Sequence, residues 1–253
     1  MRGIWVFALL HVLATTGGEA QASSMVGMLS SYRPLEGQSQ AFEQGYVRHL
    51  RWHLATGDSI PWYLWRVMRG DRTGALIGGA FVGAWPTLEN RPRTSEDQAD
   101  HRNNVDRYET EATYWSRHVE RRPELGGTLP PLERHRLLSV YLIELRPDAR
   151  AAFEETLARR PAGGSYGWFA VTHGGAEPSY LLMVPADSLR GLAAGWEHFI
   201  SPPGAPRAAA RMLSSIAAVR HELWRFLPEM STCRDAASKC LGLASGKASS
   251  GPS

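Results

Sequence analysis

Two segments of this chain are apolar on both faces of a predicted β-strand, and this feature restricts the fold more than any other. In residues 75–85 the apolar side chains are Leu76, Ala80 and Val82 on one face and Ile77, Phe81 and Trp85 on the other. The segment Leu137–Leu145 behaves similarly, apart from Ser139 and Glu144. A sheet with one face in water would alternate apolar and polar residues. These strands therefore require cover on both faces, from helices outside and from a second apolar layer inside.

The order of predicted elements indicates two similar halves. The first contains a strand (25–32), an amphipathic helix (37–55), a hairpin (62–69 and 75–85, joined by a Gly-Asp-Arg-Thr-Gly turn) and a polar helix (95–121). The second contains a strand (135–145), a helix (148–159), a hairpin (165–173 and 179–184) and two helices (187–199 and 206–226). Two βαββα units packed sheet to sheet, within an α+β fold, would bury the doubly apolar strands.

The predicted boundaries divide the chain into five parts. Residues 1–22 are a signal peptide, 25–122 the first repeat, 123–134 a linker, 135–231 the second repeat, and 232–253 a C-terminal tail. The signal has a basic Arg2, an apolar run over residues 4–13 and an Ala20-Gln21-Ala22 cleavage pattern. The run is too short to span a bilayer as a helix. We therefore expect a periplasmic or secreted bacterial protein without a membrane span after cleavage.

Charge and cysteine content narrow the functional classes. The net charge of +3 is mild, and the arginines are interspersed with acids rather than clustered, so we expect no nucleic-acid partner. Cys233 and Cys240 are the only cysteines, and in an oxidising compartment such a pair is most simply a disulfide. No nucleophile elbow, phosphate-binding loop or dinucleotide fingerprint is present.

The pattern resembles the dimeric α+β barrel superfamily, and most closely its NIPSNAP-like branch. The resemblance is carried by Trp62–Arg69 (WYLWRVMR), the GDRTG turn and the following AFVGAW at 80–85, and it covers most of residues 25–230. It implies two ferredoxin-like repeats that form an intramolecular α+β barrel. Relatives include cofactor-free monooxygenases acting on aromatic substrates and haem proteins such as chlorite dismutases. Kinship of fold does not transfer their chemistry.

Histidines offer two further hypotheses, neither of which we adopt. His49 and His53 lie four residues apart on one predicted helix face, as metal ligands can, but no third ligand is identifiable, so we expect no metal site. His221 and His118 lie late in the predicted long helices, where haem proteins of the resembled fold can carry an axial histidine. Haem is therefore an alternative, and no cofactor is the expectation.

An aromatic and arginine-rich strand supplies the candidate ligand site. The proposed members are Trp62, Trp65 and Trp85 for stacking, Arg66 or Arg69 for an anionic group, and His53 as an acid or base. They could instead fill the barrel, with the arginines at its rim. We expect an exported protein that binds a small apolar or aromatic ligand or a protein partner. The alternative is an oxygenase-like or haem-dependent enzyme of the same superfamily.

The cleavage pattern generates a first prediction. Cleavage after Ala22 should leave Ser23 as the first residue of exported protein, as read by N-terminal sequencing. Recovery of intact Met1 on protein isolated from the cell envelope would contradict it.

Overall fold

Eight antiparallel strands pair edge to edge into a closed barrel in the computed structural model, which describes residues 25–110, 115–159, 163–192, 206–233 and 240–242. The strands are β1 (Val26–Tyr32), β2 (Trp62–Arg69), β3 (Leu76–Val82), β4 (Trp115–Arg121), β5 (Leu137–Leu145), β6 (Gly167–His173), β7 (Ser179–Ala186) and β8 (Ile216–Phe226). The helices are α1 (Ser39–Ala55), α2 (Trp85–Glu89), α3 (Thr94–Asn104), α4 (Arg150–Ala158) and α5 (Pro206–Ser215).

Strand order around the barrel keeps each half of the chain together. The order is β1-β3-β2-β8-β5-β7-β6-β4, and β4 pairs again with β1. The halves meet at two seams, β2 with β8 and β4 with β6. Closure leaves no free sheet edge among these strands. Among the described residues, no helix is long and apolar enough to cross a membrane.

The prediction of two long helices is wrong for the second part of each segment. The segment 95–121 forms α3 and then, after a short 3-10 turn, strand β4; the segment 206–226 forms α5 and then β8. Neither predicted helix contains an internal glycine or proline that would mark a break. The strand pairing of β4 and β8 supplies both seams, so long-range pairing overrides the local helical pattern. The predicted helix 187–199 lies mostly outside the described residues.

The barrel interior is filled by side chains. Trp65, Trp224, Phe169 and Phe81 are each at most 5% exposed and belong to one core cluster with neighbours from all eight strands. Their rings contact each other at centroid separations such as 6.0 Å between Trp65 and Trp224. An eight-stranded barrel is just wide enough to be filled in this way. The inner faces of the doubly apolar strands thus find their cover inside the barrel.

Helices cover the outer faces, as the apolar patterning predicts. Phe42, Tyr46 and Leu50 of α1 pack against Leu64 of β2 and Leu76 of β3. On the opposite side, α4 and α5 cover β5, β6 and β7 through a second cluster. The outer faces of the two halves therefore have separate helical layers.

The segment after β8 closes the uncovered part of β2. The Leu64 N–H donates to Ser231 Oγ and the Trp62 N–H to Thr232 Oγ1, both at 2.8 Å. Cys233 and Cys240 form a disulfide with a Cα separation of 5.7 Å, as predicted. Both cysteines pack against the interior cluster, so this end of the chain helps to close one end of the barrel.

A glycine sets the distance between α1 and α3. A Cβ atom on Gly45 would lie 1.8 Å from the backbone oxygen of Asn104, so the two helices touch through their main chains. Any larger residue would force them apart. This close approach brings side chains of α1 and α3 into contact with each other.

Gly45→Ala should therefore destabilise the protein, although alanine favours an isolated helix by about 1 kcal/mol. We expect a loss of about 1–3 kcal/mol in free energy of unfolding, typical of overpacking, measured by urea denaturation. The neighbouring Gln44 is exposed, and Gln44→Ala is the matched control, with a change within about 0.5 kcal/mol. A stabilised Gly45→Ala variant would contradict the proposed helix contact.

Candidate metal centre

Three buried groups from α1 and α3 converge in the layer between the sheet and its helices. His49 and His53 lie one turn apart on α1, and Asp97 lies in the first turn of α3. Their exposed fractions are 5%, 3% and 7%. The first helical turn is a favourable place for a carboxylate because the helix dipole is positive there.

The converging atoms are His49 Nε2, His53 Nε2 and Asp97 Oδ1. The two nitrogens lie 3.1 Å apart, and Asp97 Oδ1 lies 3.5 Å from His49 Nε2 and 3.3 Å from His53 Nε2. Ligands at about 2.0–2.1 Å around a tetrahedral ion are separated from each other by about 3.3 Å. The three atoms therefore have the spacing of ligands around one small divalent cation.

A further carboxylate lies next to the Nδ1 atom of each histidine. His49 Nδ1 donates to Asp100 Oδ2 at 2.7 Å, and His53 Nδ1 lies 2.8 Å from Asp58 Oδ2. Asp58 also accepts from the Ile60 N–H and from Trp62 Nε1. A histidine that ligates a metal almost always places its other nitrogen against such a partner, which fixes the tautomer and ring orientation.

This tautomer leaves lone pairs facing one another. In the tautomer with the proton on each Nδ1, both Nε2 atoms present lone pairs, and the Asp97 carboxylate adds a third. In the tautomer with a proton on one Nε2, that nitrogen donates to the other histidine across the 3.1 Å contact. Asp97 Oδ2 accepts from Arg91 Nη1 at 2.9 Å, whereas Asp97 Oδ1 is buried without a hydrogen-bond donor. A single proton could bridge only two of the three atoms. A cation at their centre would satisfy all of them.

The electrostatic setting keeps His49 neutral. Loss of hydration on burial, together with the neighbouring His53 and His101, lowers the pKa of His49 to about 4, although Asp100 and Asp97 act in the opposite direction. The pKa of Asp58 lies below its usual value: burial alone would raise it, but the contacts with His53, Ile60 and Trp62 outweigh that effect. A neutral imidazole beside ionised carboxylates is the state that binds a metal.

A cavity of about 400 Å³ opens beside the three groups. Its wall includes Met28, Tyr32, Leu50 and Trp62, with His101 on the polar side. The volume is typical of small-molecule sites, and the wall combines an apolar part with many charged groups, among them Arg102 and Asp106. His49, His53 and Asp97 all line this cavity, so a cation held by them would be accessible from it.

The structure brings two of the six predicted ligand-site residues together. His53 and Trp62 share the cavity wall, with ring centroids 4.8 Å apart and Arg91 over Trp62. Trp85 lies against His118 at 5.6 Å and packs on the same small cluster as Trp62.

The other three predicted residues lie elsewhere. Trp65 is 1% exposed inside the barrel, Arg66 pairs with Glu43 on the outer surface, and Arg69 is exposed. Their role in ligand binding stays a prediction.

Sequence reasoning missed Asp97 as a third candidate ligand, and with it Asp58, Asp100 and Arg91. The sequence predicts no metal site because it shows no third ligand beside His49 and His53. The available signal was the Asp97-x-x-Asp100 pair on the next long helical segment, which places two carboxylates on one helix face. Only the contact between α1 and α3 shows that this face meets the histidines.

The two histidines considered for haem lie on strands rather than helices. His221 on β8 stacks on Tyr141 at 4.3 Å, and its Nε2 lies 2.7 Å from Ser139 Oγ. His118 on β4 contacts Trp85 and His173. Neither histidine therefore lies on a helix, which is where the resemblance to haem proteins would place an axial ligand.

Solved structures with a similar fold include a provisionally named monooxygenase from Fusobacterium nucleatum subsp. nucleatum. It is 7% identical, with a TM-score of 0.52, over 81% of this chain and 94% of that chain. An anthrone oxidase-like protein has a TM-score of 0.49 and 10% identity over 82% and 92% of the two chains. A variant chlorite dismutase from Candidatus Nitrospira defluvii has a TM-score of 0.49 and 11% identity over 81% and 92%.

The structure from Fusobacterium supports the fold predicted from sequence, and membership of the dimeric α+β barrel superfamily stays a prediction. At such identities the likeness concerns the fold alone. No protein-family model and no curated protein matches the chain. The NIPSNAP-like affiliation stays a prediction.

Burial of a neutral His49 generates a prediction about pH. The unfolded chain takes up a proton at this residue near pH 6.5, whereas the folded chain does so only near pH 4. The metal-free protein should therefore lose stability as the pH falls from about 6.5 to about 4, by up to about 3 kcal/mol from this group. Urea denaturation in the presence of a chelator measures the slope.

His49→Gln should flatten that slope, whatever its effect on stability at neutral pH. An identical slope in the variant and the unsubstituted protein would show that His49 does not titrate as described.

Proposed function

We propose that this chain is a metal-dependent enzyme with one divalent ion held by His49, His53 and Asp97. The observation that carries the proposal is the convergence of three acceptor atoms at 3.1–3.5 Å, with Asp97 Oδ1 buried and lacking a donor. Two histidines and one carboxylate, with positions left open, are the ligand set typical of non-haem ferrous oxygenases. Zinc also accepts this set.

Oxygenation of an apolar or aromatic substrate is the reaction class we propose. A ferrous ion at the centre would supply dioxygen binding and activation. The residues of this chain would hold the ion, exclude bulk water through the buried layer between sheet and helices, and seat an apolar substrate against Met28, Leu50 and Trp62. Incorporation of both oxygen atoms into the substrate would balance without an external reductant.

This proposal develops the alternative stated from sequence, with a non-haem ion in place of haem. The other interpretation, a protein that binds a small aromatic ligand or a protein partner without catalysis, would use the same cavity. It leaves the unpartnered Asp97 Oδ1 unexplained. We therefore place it second.

The architecture supports a finer proposal about repeats. The strand order within the first half is β4-β1-β3-β2, and within the second half it is β8-β5-β7-β6. The two orders correspond strand for strand. We propose that the halves, 25–122 and 135–231, are ferredoxin-like repeats joined by the linker 123–134, and that the protein works after export.

Metal binding is tested by titrating metal-free protein with Co²⁺, whose visible absorption reports coordination by nitrogen and oxygen. One ion per chain should bind. The variants His49→Gln, His53→Gln and Asp97→Ala should each lose roughly 100-fold or more in affinity, because each removes one of three ligands.

Asp58→Asn and Asp100→Asn should weaken binding by about 10–100-fold, since they orient ligands without touching the ion. His221→Gln is the matched control for loss of a histidine and should bind as the unsubstituted protein does. Equal affinity for Co²⁺ in all these variants, or the absence of stoichiometric binding, would contradict the proposed metal centre.

Reaction class is tested separately with protein loaded anaerobically with Fe²⁺. Air is then admitted in the presence of catechol or 1-naphthol, and oxygen uptake is followed with an electrode. Uptake that requires both iron and Asp97 would support an oxygenase. Metal binding without uptake or product for any aromatic probe would overturn the reaction class while leaving the centre intact.

A further inference from the structure

A second pocket lies at the mouth of the barrel, on the inner side of the sheet. Its volume is about 150 Å³. The β2–β3 turn contributes Arg72, β4 contributes Trp115 and Arg117, and β8 contributes Arg220 and Glu222. The metal centre lies on the outer side of the sheet, under α1 and α3, so the two sites are in different layers of the molecule.

The floor of this pocket is apolar. Val140, Leu142, Leu181 and Trp224 line it, and they continue into the packed barrel interior. Trp224 Nε1 donates to Glu222 Oε2 at 2.7 Å, so its polar end is satisfied. The pocket therefore offers an apolar surface below and charged groups above.

Three guanidinium groups share the pocket, and two of them have carboxylate partners. Arg72 binds Glu222 through two hydrogen bonds of 2.8 and 2.7 Å, and Arg220 pairs with Glu144. Arg117 forms no ion pair within the part of the chain that the structure describes, and its Nε is buried without an acceptor. Asp71, the remaining acid of the lining, is exposed at the rim.

Arg117 is held in place despite lacking an acidic partner. Its guanidinium lies 4.7 Å from the ring centre of Trp115, and that of Arg72 lies 4.2 Å from the same ring. Burial and the nearby charges of Arg72 and Arg220 lower the pKa of Arg117, although Glu144 offsets part of the effect. An arginine kept among other cations without a counter-ion is arranged to receive an anion.

We infer that the barrel mouth binds a small aromatic carboxylate, with its carboxylate on Arg117 and its ring on the floor formed by Val140, Leu142 and Leu181. A carboxylate matches the planar fork of a guanidinium, and an apolar body matches the floor. The pocket volume suits a single ring. This site does not rest on the metal centre, because it shares no residue with it.

Isothermal titration calorimetry with benzoate tests the inference. Benzoate should bind saturably, and Arg117→Gln should reduce its affinity at least about 10-fold. Arg159→Gln is the matched control, since Arg159 is exposed just after α4 and does not line the pocket, and it should leave the affinity unchanged. Removing an unpaired cation should not unfold the protein, which near-ultraviolet circular dichroism checks.

Two probe molecules test separately how much the charge and the ring of the ligand contribute to affinity. Benzyl alcohol lacks the charge and acetate lacks the ring, and each should bind at least about 10-fold more weakly than benzoate. Leu142→Trp should fill the pocket and abolish benzoate binding while Arg117 stays in place. Unchanged affinity in Arg117→Gln, equal binding of acetate, or no saturable heat with benzoate would each overturn the proposed site.

Discussion

Closure of the barrel is the constraint on which the rest of the molecule depends. The seams β2–β8 and β4–β6 join the two halves on both sides, and neither half could close alone with four strands. Once closed, eight strands enclose only enough space for side chains, and Trp65 and Trp224 occupy much of it. Ligands are therefore excluded from the interior. The remaining places are the layer beneath the helices and the mouth of the barrel, and each contains one of the two cavities described above.

The proposed metal centre depends on close contact between two helices rather than on the sheet. Gly45 allows α1 and α3 to touch, which places the Asp97 carboxylate opposite His49 and His53. Holding buried Asp97 and half-buried Asp58 and Asp100 around two buried histidines without a cation would be costly, because acceptor atoms would face one another in a medium of low dielectric constant. Arg91 neutralises one oxygen of Asp97 but leaves the other unpartnered. Such a cluster has a physical reason to persist when a cation completes it.

The sequence predicted which strand faces are covered better than it predicted which segments form strands. Strands apolar on both faces required cover inside and outside, and the barrel core and the helices supply it. The strand parts of 95–121 and 206–226 could not be recognised locally, because β4 is polar and β8 follows α5 without a breaking residue. Their strand state is imposed by pairing with β1, β6, β2 and β5, which are distant in sequence. The candidate metal centre could not be predicted for the same reason, because it also depends on a contact between distant segments. The spacing along α1 indicates that His49 and His53 share a helix face, but it does not indicate which residues that face contacts.

The charge preferences of the two cavities follow from how arginines, histidines and carboxylates are distributed between the faces of the sheet. On the outer face, the histidines of α1 lie among carboxylates, so the local field favours a cation. At the mouth on the inner face, Arg117 stands beside Arg72 and Arg220, so the local field favours an anion. The barrel sheet thus separates two sites of opposite charge preference. Because the two sites favour opposite charges and share no residue, a variant of one site should leave binding at the other unchanged.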